Sequence, residues 1–432
     1  MIISAIFNLF ATGEISFMIN GAILFILTLM LVIPMTVIGI GSAIIAFPVL
    51  IIFFFYFFLK CKPCVLSKKA LLSLLFYLGF VVFVASVPLI HLTNSFELLT
   101  FVFYGLFVFV SSILLIVCYR CHYSNFPYVL LRNLYLIGSL NAVVAILVLL
   151  SPNIRDLIYS VVDTSAVNME HLALGFRSSG LFFFGGSVMS LFHCLIIYIG
   201  LIYVRYKQTY IKSKLFILDV ILIASNALAV FLSGRMGVLV LIAGFCVVLF
   251  TPSSFTRAYK SVVVKIIIVV FSILACVIAL YYEQFAMFLV WAFELFINMF
   301  NNEEVTTAST EVLKSMYHFP SDMIFGEGLF SMVDLGIDSG YVLLTWYFGI
   351  LAVVALLTLL FAQSLIVLKN CKNKDMLAVY LFCLFLILIG NIKDTYLFGS
   401  NGLTQVYFIS MLLCLYGVRQ TQHIPLNKDI EN

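Results

Sequence analysis

The sequence predicts an all-α polytopic membrane protein with about twelve transmembrane helices. Three observations lead there. Of 432 residues, 64% are apolar and only 10% charged, far from the roughly 25% charge of soluble globular domains. The uncharged runs 15–59, 70–96, 98–119, 178–204, 236–256, 339–368 and 395–418 each reach the ~20 residues a helix needs to cross a bilayer. Lys and Arg cluster in alternate connections, as expected when basic loops stay in the cytoplasm. These runs exclude a soluble enzyme, a nucleic-acid binder and an outer-membrane barrel, whose strands alternate over ~10 residues. Met1 to Ser16 carries neither a basic leader nor a small-residue cleavage site, so no processing is expected.

In chain order, hydropathy places spans at about 18–38, 43–59, 70–91, 98–118, 128–150, 178–204, 215–232, 236–251, 266–282, 340–368, 376–391 and 401–418. Threading them with both termini inside puts eighteen basic residues in the cytoplasm. Five remain outside: Arg155, Arg177, Arg235, Lys314 and Lys393. Five acids fall inside and fourteen outside, so the inner side carries +13 and the outer side −9, in agreement with the net +4. An odd span inserted or lost would invert part of this pattern. The cytoplasmic cations are orientation signals near anionic lipid and need no nucleic acid to explain them.

Cytoplasmic connections are short, whereas two outer loops, about 151–177 and 283–339, are long. The working surface therefore faces outward. Within the larger loop, 284–300 is apolar but follows a complete span. It reads as an in-plane interfacial helix anchored by Trp291, because one more crossing would put Lys369 to Lys374 on the wrong side. That sets the polar segment Asn301 to Asp338 over the outer mouth of the bundle. With no internal repeat, linker or low-complexity tract, 1–432 is one membrane domain without a soluble one.

All ten cysteines fall in spans or at cytoplasmic ends, which predicts reduced thiols rather than a disulfide framework. The C-x-x-C pairs Cys61/Cys64 and Cys118/Cys121, the latter beside His122, have zinc-ligand spacing, but reduced thiols are the simpler reading. His193 reads as a packed residue of the sixth span, and His171 and His318 as solvated loop histidines. Zincin, P-loop, nucleophile-elbow and dinucleotide signatures are all missing from the sequence. No cofactor and no catalytic metal are expected.

The outward cations carry the functional signal. An arginine at a helix centre costs about 2.5–3.5 kcal/mol to insert, and less near the interface. Arg235 lies in Leu232-Ser233-Gly234-Arg235-Met236-Gly237, the whole turn between two short spans. Arg177 lies in Leu174-Gly175-Phe176-Arg177-Ser178-Ser179-Gly180, where a loop re-enters the bilayer. Lys393 follows the eleventh span. Three cations near one outer plane predict an anion site, and guanidinium groups suit phosphate because they bind it bidentately and stay protonated. A lipid-linked phosphate or pyrophosphate fits. The competing reading is snorkelling to lipid headgroups, or for Lys393 a pair with Asp394.

The layout, together with Arg177-Ser-Ser-Gly180, Ser233-Gly234-Arg235-Met-Gly237, Phe325-Gly326-Glu327-Gly328 and Asp338-Ser-Gly-Tyr341-Val-Leu-Leu-Thr-Trp-Tyr-Phe-Gly349-Ile, resembles bacterial O-antigen polymerases of the Wzy type. These share a superfamily and a GT-C-like membrane fold with O-antigen ligases. The resemblance implies a glycosyltransferase at the outer face of the bacterial inner membrane. It would polymerise undecaprenyl-pyrophosphate-linked oligosaccharide repeats, with lipid-linked donor and acceptor glycans, the bilayer and a chain-length regulator protein as partners. Arg177 and Arg235 would stabilise the pyrophosphate leaving group. The acceptor hydroxyl needs orientation and a base, for which Asp338, Glu327 and Asp322 are available, with Asp338 the leading catalytic candidate. Lys393, Glu327, Tyr341 and His318 are candidates for substrate binding. Asp338 is also a plausible cap for the tenth span.

Two alternatives stand beside this reading. Many ligase relatives carry His-Asn where this chain has Asp338-Ser339, a departure that counts against a ligase. A flippase or transporter would concentrate polar residues at the midplane, where Gly185, Gly186, His193, Asn141 and Asn226 are the candidates.

Overall fold

The computed structural model describes residues 14–60, 67–173, 177–206, 214–250, 314–396 and 398–416, with scattered positions between 264 and 311. Helix α1 (Glu14–Val32) leads into the strands β1 (Thr36–Val37) and β2 (Ile40–Gly41). Four long helices follow: α2 (Ser42–Lys60), α3 (Lys68–His91), α4 (Glu97–His122) and α5 (Phe126–Leu150). The next connection holds α6 (Pro152–Tyr159), β3 (Val162–Asp163) and α7 (Ala166–Ala173). Then come α8 (Ser187–Tyr206), α9 (Lys214–Ser233) and α10 (Arg235–Phe250). The chain closes with α11 (Met332–Leu335), α12 (Gly340–Asn370), α13 (Lys374–Gly390) and α14 (Leu403–Leu415).

Among the described residues six helices, α2, α3, α4, α5, α8 and α12, are long and apolar enough to cross a membrane, and α1, α9, α10 and α14 supply shorter apolar helices. Side chains such as Ile52, Val82 and Leu89 stand exposed on the bundle exterior, an apolar surface suited to lipid rather than water. The span expected at 266–282 and the in-plane helix expected at 284–300 lie largely outside the described residues.

Three expected boundaries move, each for a local reason. The first helix stops at Val32 instead of about residue 38. Ser42 Oγ donates to the carbonyls of Met30 (2.8 Å) and Ile33 (3.0 Å), satisfying backbone acceptors at the helix end. The chain then forms a three-stranded sheet of order β2-β1-β3, pairing Thr36 with Asp163 and Val37 with Val162. The expected span 178–204 becomes helical only at Ser187. Residues 178–186 instead fold back as turns, since Asn141 Oδ1 accepts the Leu181 N–H at 2.7 Å. The long helix α12 is broken at Phe348 and Gly349, where the 320–330 segment enters. Glu327 and Gly328 N–H donate to the Trp346 and Tyr347 carbonyls at 2.9 and 3.1 Å, and Ile350 N–H donates to Met323 at 2.9 Å.

The cysteine expectation also needs correction. Cys121 is disulfide-bonded rather than a reduced thiol. The Phe57 and His122 rings, 5.9 Å apart, bring the end of α2 beside it.

Helix α8 is the axis of the fold, packed by α5, α9, α10 and α13, and every residue of α14 is buried, chiefly against α13 and α4. Inside the bundle, Asn226 Nδ2 donates to Ser139 Oγ (2.8 Å), which leaves its Oδ1 to accept from His193 Nδ1–H (2.8 Å). His193 Nε2 then accepts from Asn141 Nδ2 (3.2 Å). His193 is thus the hydrogen-bonded core residue expected from its apolar setting, and the chain of bonds runs on through Asn141 to the Leu181 backbone.

Candidate functional site

The site is assembled where the starts of α8, α10 and α12 meet the connection after α13. Gly234 makes the first contact. A Cβ there would lie 3.2 Å from the Ser187 Cα, so the absence of a side chain lets the α9–α10 turn close on the start of α8 and fixes Arg235 at that junction. Ser190 Oγ holds the turn by donating to the Gly234 carbonyl at 2.7 Å. Gly237 continues the approach, since a Cβ would overlap Ser190 Oγ. From the other side, Gly340 N–H donates to the Asp394 carbonyl and Tyr341 N–H to the Asn391 carbonyl, both at 3.3 Å, docking the α12 start on residues 391–394.

Arg177, Arg235 and Lys393 share one electrostatic field here. Burial lowers the proton affinity of Arg177, and the positive charge of Arg235 lowers it further. Burial likewise holds the Lys393 ammonium below the ordinary lysine range. Arg177 and Arg235 act in the same sense, against Asp394 and Asp338. Like charges within one another's field are costly unless an anion or an acid shares the space. Arg235 has such a partner: its guanidinium contacts Glu294 Oε2 at 2.5 Å, with side-chain exposures of 16% and 26%.

Two aspartates complete the cluster. Asp394 Oδ2 accepts from Ser187 Oγ (3.1 Å) and Oδ1 from the Thr395 N–H (2.8 Å). Burial raises its carboxyl above the usual range and Asp338 adds to the rise, while Thr395, Ser187 and Lys393 oppose it. Asp338 stands at the rim, its carbonyl accepting from Thr395 Oγ1 at 3.2 Å. Partial desolvation raises its carboxyl and Lys393 lowers it.

The other expected site residues take different places. Tyr341 donates its hydroxyl to the Leu388 carbonyl (2.9 Å) on α13. Glu327 Oε1 accepts from both the N–H and the hydroxyl of Ser321 at 2.9 Å, bracing the segment seated in the α12 break. His318 packs edge-on against Trp346, whose indole N–H donates to the His318 carbonyl at 2.9 Å. Asp322 caps the Ile324 and Phe325 amides. Glu327, His318 and Asp322 thus belong to the loop around the α12 break rather than to the cation cluster.

Sequence reasoning passed over four members of the site. In the sequence Asp394 reads only as a counter-charge for Lys393. Ser187 was not singled out, and His171, expected to be solvated, is half-buried within the field of Arg177. Glu294 had a usable signal, as the only charged residue in the apolar stretch 284–300. Among the described residues no group of three or more His, Cys, Asp or Glu side chains gathers as metal ligands. No family model, curated protein or solved structure matches the chain.

Proposed function

We propose that the protein is a membrane glycosyltransferase that polymerises undecaprenyl-pyrophosphate-linked oligosaccharide repeats into O-antigen or a related surface polysaccharide. In this reading it has twelve spans, a GT-C-like arrangement and cytoplasmic termini, and it works at the outer face of the bacterial inner membrane. The observation that carries the proposal is the gathering of Arg177, Arg235 and Lys393 in one electrostatic field beside Asp338 and Asp394.

The chemistry follows from those charges. Transfer of a glycan from its lipid carrier leaves a pyrophosphate, and fixed guanidinium groups in a partly dry site stabilise its developing charge without reorganisation. Arg235 is held ready by Glu294, which the phosphate oxygens displace. Asp338, at the rim, orients the incoming acceptor hydroxyl. Glu327, His318 and Tyr341 flank the approach along the α12 start and its break. A flippase finds less support, because Asn141, His193 and Asn226 bond one another in the bundle interior rather than lining a path for cargo.

Purified protein supplied with lipid-linked repeats in excess EDTA tests the reading. The expected product is a ladder of longer lipid-linked glycans. No elongation by the wild type, or elongation only after a divalent ion is restored, overturns it.

A further inference from the structure

The cluster holds two carboxylates in unlike settings. Asp338 is exposed at the rim, whereas Asp394 lies where the starts of α8, α10 and α12 meet. It is fixed by Ser187 Oγ on one oxygen, by the Thr395 N–H on the other, and through its backbone carbonyl by the Gly340 N–H. Each carboxylate oxygen has accepted one hydrogen bond and retains a second acceptor position. Arg235 follows Gly234, which abuts Ser187, so the Asp394 carboxylate and the anion-binding guanidinium are anchored to the same helix start. Two acids held in unlike settings, one exposed and one anchored among helix starts, can divide the positioning and proton-accepting roles.

We propose, resting on the polymerase reading above, that Asp394 is the general base that takes the proton from the attacking acceptor hydroxyl. The acceptor O–H proton passes to the Asp394 carboxylate, and the oxygen's electron pair forms the bond to the donor's anomeric carbon. The bond from that carbon to the pyrophosphate oxygen breaks. Its electron pair leaves with undecaprenyl pyrophosphate, whose added negative charge faces Arg177, Arg235 and Lys393. Asp338 orients the acceptor but takes no proton. Burial and the neighbouring Asp338 charge raise the Asp394 carboxyl, and the Ser187 and Thr395 hydrogen bonds fix its position at the start of α8.

The test compares Asp394→Asn with Asp338→Asn in the purified enzyme. General-base removal costs about 10²–10⁴-fold in rate. Asp394→Asn should therefore lose that much in kcat while its Kd for undecaprenyl pyrophosphate stays within about twofold of wild type. Asp338→Asn should mainly raise the acceptor KM. Asp394→Ala should regain turnover when formate is added, a response that a merely structural or counter-charge role does not give. Loss of pyrophosphate binding in step with kcat, or kcat loss centred on Asp338, overturns the assignment. If neither neutral variant accumulates, Asp394→Glu decides: it keeps the charge but displaces the carboxylate, so unaltered kcat overturns the proposal and a reduced kcat with normal donor binding supports it. A wild type that elongates no lipid-linked repeat marks instead the failure of the underlying reading.

Discussion

Burial and two guanidinium neighbours loosen the proton on Lys393, while Asp394 and Asp338 tighten it. The net direction is downward, so Lys393 loses its charge at a pH where a free lysine, with a pKa of about 10.4, still keeps its own. The protonated form is the one that attracts an anion. Affinity for inorganic pyrophosphate, measured by competition with the lipid-linked donor, should therefore fall as pH rises through that lowered value. Lys393→Arg should abolish the fall, because guanidinium stays protonated throughout the range. An alkaline fall of equal size in the arginine variant would remove Lys393 from the anion site. These cations were legible in the sequence because, in the charge-based threading, each stands against the bias that keeps Lys and Arg inside. Asp394 was not, since an acid beside a lysine in sequence reads as its partner, and only folding brings Ser187, Gly340 and Asp338 around it.

Elements were legible where the apolar run was long and obscure where a side chain or glycine interrupts the helix. The run 339–368 carries no charge and reads as one span, yet Gly349 adopts φ +58° and ψ −156°, a region essentially confined to glycine. The break opens backbone groups that the 320–330 segment occupies. The segments around Gly326 and Gly349 are thus one structural device, a loop seated in a helix break. Gly349→Ala should cost about 1–3 kcal/mol in backbone strain alone. A Cβ there would also overlap the Ile324 carbonyl, so the loop would have to withdraw. A lowered Tm in detergent and faster proteolysis near residue 325 are the expected outcomes. A wild-type melting curve would mean that the break tolerates a side chain. The small sheet and the 178–186 turn escaped sequence reading for a related reason: two-residue strands have no periodicity to detect, and a buried Asn141 that redirects the chain looks like any other span residue.

Across the whole molecule, the inter-helix contacts gather at two ends of the bundle. At one end, Phe183 N–H donates to the Pro34 carbonyl, Thr93 Oγ1 to Gly328, and Ser187 Oγ to Asp394. The threading assigns all these segments to the outer side. At the other end, Tyr128 donates to Asp375, the Arg120 guanidinium lies 5.9 Å from the Tyr416 ring, and Phe17 stacks on His122. Those contacts join segments assigned to the cytoplasm. Alkaline phosphatase fused after residue 165 or 310 should accordingly be active, and fusions after 63, 210 or 372 inactive. High activity at 210 would overturn the orientation.

In the proposed reading, Arg177, Arg235 and Lys393 form one pyrophosphate site at the outer end of the bundle. Titration of the detergent-purified protein with undecaprenyl pyrophosphate tests it most directly, comparing wild type with Arg177→Ala, Arg235→Ala and Arg235→Lys. The expected result is saturable binding that weakens at least about tenfold in each alanine variant, as loss of a charge-assisted bond worth about 1.5–3 kcal/mol requires. The lysine variant should recover only part of it, because the bidentate fork is gone. Alanine variants that fold as wild type and bind undecaprenyl pyrophosphate with undiminished affinity would contradict the claim.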